Sequence, residues 1–87
     1  MEADRNNFKF DIGDLVYAPT MGMVLYVLKR RLHRAYEVMY DHETKRWVVE
    51  LQYLMRSNHN DGRDVWYPES HIDEMLSEGW VHQKRKH

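Results

Sequence analysis

Two kinds of residue in this 87-residue sequence have types and spacings that bear on chemistry: eleven aromatic rings and a central run of cations. Tyr17, Tyr40, Trp66 and Tyr67 fall at the ends of strand-like runs or beside loops, where rings are accessible, and they form the candidate partner-binding set. Trp66 and Tyr67 are neighbours, so in a strand they point to opposite faces and one must turn away from the core. Tyr36, Trp47 and Tyr53 are expected to be core. The cations Lys29, Arg30, Arg31, Arg34, Lys45 and Arg46 are expected on two successive hairpin turns, at opposite ends of one strand. Phosphate contact suits them, and base stacking on Tyr36 or Tyr40 would support single-strand binding. The plainer reading is that they are solubilising turn charges.

The remaining chemistry-bearing residues do not assemble into a motif. His33, His42, His59, His71, His82 and His87 show no ligand spacing, no two of them lie three or four apart, and no His-Glu-x-x-His occurs. Without cysteine there is neither a thiolate site nor a disulfide. Asp11 and Asp14 are close enough to pair, but Asp14 sits at a strand start and is expected to bond backbone there. Ser70 is expected as a helix cap, and nothing fixes a nucleophile beside a base. The expectation is therefore a non-catalytic protein with no metal and no cofactor.

The elements that must position these residues are short. The length makes one domain, residues 1–87, with its core over about 10–77 and arms at 1–9 and 80–87. A chain this small buries only about 60% of its unfolded surface, so each large apolar residue matters. No apolar run approaches the roughly 18–20 residues that span a bilayer, and a soluble, intracellular protein is expected. The net charge of −1 hides a pattern, because residues 29–56 carry seven basic and four acidic side chains between two acidic flanks.

Phe10-Asp11-Ile12-Gly13-Asp14-Leu15-Val16-Tyr17-Ala18-Pro19 opens the body. A strand over about Asp14 to Ala18 ends at Pro19, which has no ladder donor. Met23 to Arg30 reads as a second strand, apolar on both faces. Its Met23, Leu25 and Val27 face predicts a patch that a second copy could cover. Lys29 to Arg34 reads as a basic turn, and Ala35 to Tyr40 as a third strand. Arg46 to Met55 is a fourth strand with its Trp47 face buried, because Glu50 and Gln52 wet the other. Val65-Trp66-Tyr67 is the last strand. The spacing of Ile72, Met75 and Leu76 predicts a helix over about His71 to Glu78, capped by Ser70 with Asp73 and stopped by Gly79. Val81 to His87 reads as a frayed basic tail.

The Gly13-Asp14-Leu15-Val16-Tyr17 opening, the Gly22 turn, the central Trp47 and the closing Trp66-Tyr67-Pro68 with Ser70-His71-Ile72-Asp73 together resemble SH3-like (Tudor-type) small barrels. The short barrel proteins of tailed bacteriophages are the particular likeness. The resemblance covers about residues 10–77, with the loop at 56–64 and the tail after Gly79 as departures. It implies a mainly β fold, a five-stranded SH3-like barrel with a short C-terminal helix. Aromatics near the loops of such barrels form a groove or cage for methylated cations or proline-rich peptides. On this basis the chain is expected to be a protein–protein interaction module of a host cytoplasm or a virion, using the 56–67 segment. Nucleic-acid binding through the basic residues is the alternative.

Overall fold

Gly13 and Asp14 begin the ordered sheet. Gly13 takes φ 98°, a left-handed conformation open to glycine, and donates to Val27 O at 2.8 Å. Val27 N–H returns a bond to Asp14 O at 3.0 Å. The computed structural model describes residues 8–38, 45–59 and 63–85. It contains strand β1 (Leu15–Ala18), β2 (Met23–Val38), β3 (Lys45–Ser57), β4 (Asp64–Pro68), helix α1 (Glu69–Ser77) and β5 (Val81–Gln83). All pairings are antiparallel and the order across the sheet is β4-β3-β2-β1-β5. The protein is thus mainly β, with one sheet and one short helix. Among the described residues no ladder joins β4 to β5, so the sheet is not closed into a barrel.

The expected turn at Lys29 to Arg34 does not form, and the expected second and third strands are one strand of 16 residues. That stretch has no Gly, Pro, Asn or Asp to supply turn geometry. Extended backbone is compatible with its long side chains because partners exist for them. Arg30 Nη1 donates to Phe10 O at 3.2 Å, and Arg31 Nε donates to Gln52 Oε1 at 2.7 Å. What breaks the strand's regularity is a one-residue register shift between Val27 and Lys29. Val27 pairs with Met55, but Lys29 pairs with Leu54. Because side chains alternate, one extra residue exchanges the faces beyond it. Leu25 and Val27 face the core before the shift; Arg30, Leu32, Arg34 and Tyr36 occupy that face after it.

The core is single-sided. Phe10, Val16, Ala18, Leu25, Val27, Tyr53, Met55, Ile72 and Met75 are buried, with Phe8, Tyr67, Leu76 and Trp80 packed around them. Phe8 and Phe10 meet the Tyr53 ring edge-on at 5.7 and 5.2 Å between centroids. Of the expected oligomer patch, Leu25 and Val27 are among the most buried side chains and belong to the chain's own core, and only Met23 is half-buried at the surface.

Helix α1 lays Ile72 and Met75 into this core, as their spacing predicts. Its end is a Schellman motif: Gly79 takes φ 109°, its N–H donates to Leu76 O, and Trp80 N–H donates to Met75 O. Its start differs from expectation. Pro68 occupies the cap position and no side chain caps the helix, so Ser70 with Asp73 is not a capping box. The carboxylates of that turn serve distant partners instead. Glu69 accepts from the Tyr53 hydroxyl, and Asp73 accepts from Lys9 Nζ at 2.9 Å.

The expected frayed tail is also corrected, since Val81 to Gln83 form β5 against β1. Asp14 holds it there. The carboxylate is fully buried and accepts from Asp11 N–H, His82 Nε2 and Arg85 N–H at 3.0, 2.8 and 2.8 Å. Burial pushes this carboxyl up, but the three hydrogen bonds outweigh it and hold the group below the usual carboxylate range. Asp14 therefore bonds backbone at the strand start, as expected, and also ties the two ends of the chain together.

Candidate interaction surface

β2 and β3 outrun the rest of the sheet. β1 covers β2 only at Met23 to Tyr26, and β4 covers β3 only at Gln52 to Arg56. Beyond these limits the two strands continue as a ribbon, with no third strand on either edge among the described residues. The register places Leu32 opposite Leu51, Arg34 opposite Val49, and Tyr36 opposite Trp47. Directly opposed residues share a face, so these six form one strip on the core-side face, with only the start of α1 beside its Val49 and Leu51 end.

That strip is open. Leu32, Tyr36, Trp47 and Val49 are 45%, 53%, 60% and 61% exposed. The Tyr36 and Trp47 rings lie 5.0 Å apart at a tilt of 54°. The Arg34 guanidinium carbon sits 5.2 Å above the Trp47 ring, within cation–π range. Where the ribbon leaves the body, a hollow of about 360 Å³ is lined by Val49, Glu50, Leu51, Pro68, Glu69 and Ser70.

On the opposite face of the ribbon, polar side chains near the body bond one another. Gln52 accepts from Arg31 Nε and donates to Glu50 Oε1, both at 2.7 Å. The Arg31 guanidinium carbon lies 3.9 Å over the Trp66 ring. The ribbon is thus amphipathic, with its aromatic face uncovered.

Charge is segregated onto the same element. Residues 29–38 and 45–50 carry six basic and two acidic side chains, a net +4, which leaves −5 on the rest of a chain whose total is −1. The basic residues lie along strands, not on two turns. Arg30, Arg31 and Arg34 each already contact an aromatic ring of the chain, namely Phe8, Trp66 and Trp47.

The expected binding set is not brought together. Tyr40 lies outside the described residues. Tyr17 and Trp66 share the outer face of the sheet but stand on β1 and β4 with two strands between, about 14 Å apart across the strands and further offset along them, since Tyr17 lies level with Val24 and Trp66 with Lys29. Tyr67 faces the other way, packs on the core and stacks on the His71 ring at 5.5 Å. Of the adjacent pair, Trp66 is therefore the ring that turns from the core, under Arg31.

Trp47 and Tyr36, assigned to the core by sequence, are instead the most accessible aromatic pair. They do occupy the core-side face of the sheet, Trp47 on β3 with Tyr53 and Met55 and Tyr36 opposite it on β2, but the core ends before reaching them. A signal existed in the mismatch of lengths. An apolar face running from Trp47 to Met55 is longer than the four- and five-residue neighbours that could cover it.

Among the described residues no three His, Asp or Glu side chains gather as metal ligands would. Among the same residues no helix is long and apolar enough to cross a membrane. No protein-family model, no curated protein and no solved structure matches the chain.

Proposed function

We propose that the chain is a non-catalytic interaction module that binds an acidic protein partner through the strip Leu32, Arg34, Tyr36, Trp47 and Val49. The observation that carries this reading is the exposed Tyr36–Trp47 pair on a ribbon face with no covering layer. Tyr, Trp and Arg are the residues in which binding energy concentrates at protein interfaces. Exposed apolar strips rimmed by charge mark such interfaces. A net +4 ribbon suits a partner of opposite charge.

Within this reading the fold is that of an SH3-like small barrel left open between β4 and β5. The antiparallel order β4-β3-β2-β1-β5, with a helical turn between the last two strands, supports that reading. So do the Gly13-Asp14-Leu15-Val16 opening and the closing Trp66 with Ile72-Asp73, which also underlie the proposal of a small phage-type accessory or virion protein. In that setting the chain works in the host cytoplasm or the virion.

The test is capture by the immobilised chain from lysate of the native host. One protein should be retained, lost with Trp47→Ala or Tyr36→Ala, and kept with Tyr17→Ala. Capture that Trp47→Ala leaves intact and Tyr17→Ala abolishes would move the surface to the outer face of the sheet.

A second reading, single-stranded nucleic acid, is favoured by one observation: the cations share their ribbon with two exposed rings. Salt separates the two. Nucleic-acid binding falls steeply with salt and weakens with Arg34→Ala at every sequence. Protein binding loses only its charge-steered part with salt, and falls most with Trp47→Ala.

A further inference from the structure

A second hollow, of about 390 Å³, lies where the N-terminal loop meets β2 and the C-terminal segment, and is lined by Asp11, Ile12, Arg30 and Arg85. Two guanidinium groups from positions 55 residues apart in sequence converge on it. Each is pinned to the loop by one backbone bond. Arg30 Nη1 donates to Phe10 O and Arg85 Nη1 donates to Ile12 O, both at 3.2 Å. The Phe8 ring supports Arg30 from 4.8 Å. The backbone of Arg85 is fixed in turn, since its N–H donates to the buried Asp14 carboxylate at 2.8 Å. Gly13 makes room for the side chain: a Cβ there would stand 2.6 Å from Arg85 Cδ.

Among the described residues the hollow is thus lined by two cations and one anion. That anion is Asp11, 59% exposed at its side chain and 3.3 Å from Arg30 Nη1. The Nε and Nη2 groups of both arginines have no protein acceptor among the described residues. Two like charges held on one opening favour a dianion. Guanidinium forks match the oxygens of a phosphate bidentately. The space exceeds a bare phosphate, and Ile12, 44% exposed, adds an apolar wall for an attached group.

We propose that the Arg30–Arg85 hollow is a binding site for a phosphate monoester, with both guanidinium groups on the phosphate and Ile12 against the ester group. The site adjoins the ribbon strip, since Arg30 stands two residues before Leu32 on the same face, but none of Leu32, Arg34, Tyr36, Trp47 and Val49 lines it, so Trp47→Ala tests the strip without touching the hollow.

The test is a titration of the full chain with phenyl phosphate and with inorganic phosphate at constant ionic strength. It is followed by NMR at the Arg30 and Arg85 Nε–Hε signals and the Gly13 amide. Saturable shifts are expected at all three, with phenyl phosphate binding more tightly. Arg85→Gln and Arg30→Gln should each weaken binding about tenfold or more. Asp11→Asn, which removes a competing exposed carboxylate, should tighten it severalfold. This last variant keeps the proposal testable if an arginine variant fails to fold. Shifts that grow linearly without saturation would overturn the site. So would binding unchanged by Arg85→Gln, or weakened by Asp11→Asn. Equal binding of the two phosphates would overturn the assignment of an ester.

Discussion

Tyr36 and Trp47 oppose each other across the β2–β3 ladder with ring centroids 5.0 Å apart, yet each is more than half exposed. A pair placed this way contributes little to folding. Trp47→Ala should cost no more than about 1.5 kcal/mol, the range of an aromatic pair beyond its burial. Phe10→Ala, in the buried core, should cost about 3–5 kcal/mol. Urea denaturation of both variants checks this. A Trp47→Ala loss equal to that of Phe10→Ala would mean that the ring is structural.

Tyr53→Phe isolates one buried hydroxyl. That oxygen accepts from the backbone N–H groups of Lys9 and Phe10 at 3.0 and 3.3 Å and donates to Glu69. Burial, and then the bond to Glu69, push the phenol well above its ordinary value. The substitution keeps the ring contacts with Phe8 and Phe10 but strands these polar partners. A loss of about 1–3 kcal/mol is expected. It should appear first as faster amide exchange at Phe10, because the loop's tie to the sheet is what is cut.

Asp14 makes stability depend on acid. Its carboxyl lies below its unfolded value, near 3.9. Its contribution is therefore complete above about pH 5 and is lost as the pH falls through the depressed folded value. Denaturation midpoints should fall below pH 4 in the native chain. Asp14→Asn should be less stable at pH 7, with a flatter acid limb. An unchanged acid limb in that variant would assign the dependence to other carboxylates.

Deletion of Leu28 tests the register shift. Without the extra residue, Val27 and Lys29 would pair regularly with Met55 and Leu54, so Arg30, Leu32, Arg34 and Tyr36 would stay on the core-side face. The deletion should therefore leave partner binding in place, whereas insertion of an alanine between Lys29 and Arg30 should exchange the faces beyond it and abolish binding. A Leu28 deletion variant that folds but loses binding, or an insertion variant that keeps it, would contradict the assigned faces.

The local signals in the chain were legible where they act within a few residues. Gly13 and Pro19 bound the first strand as read, and Ile72, Met75 and Gly79 gave the helix its buried face and its stop. Misreadings arose where distant partners decide. Lys29 to Arg34 resembles a solvated turn until Phe10, Asp11, Gln52 and Trp66 are placed beside it. Ser70 is a good cap by type, but Tyr53 and Lys9 claim the acidic groups of that turn. Val81 to Gln83 is too short to declare itself as a strand, and it forms because Asp14 holds His82 and Arg85. Trp47 was assigned to the right face at the wrong depth, since alternation reports the face and not where the core ends.

The most direct test of the proposed surface is site-specific photo-cross-linking in lysate of the native host, with p-benzoylphenylalanine in place of Val49 or, separately, of Tyr17. The account predicts a discrete adduct from position 49 that is sensitive to protease, resistant to nuclease and absent when Trp47→Ala is added, with none from position 17. An adduct from position 17 alone, or a nuclease-sensitive adduct from position 49, would contradict it.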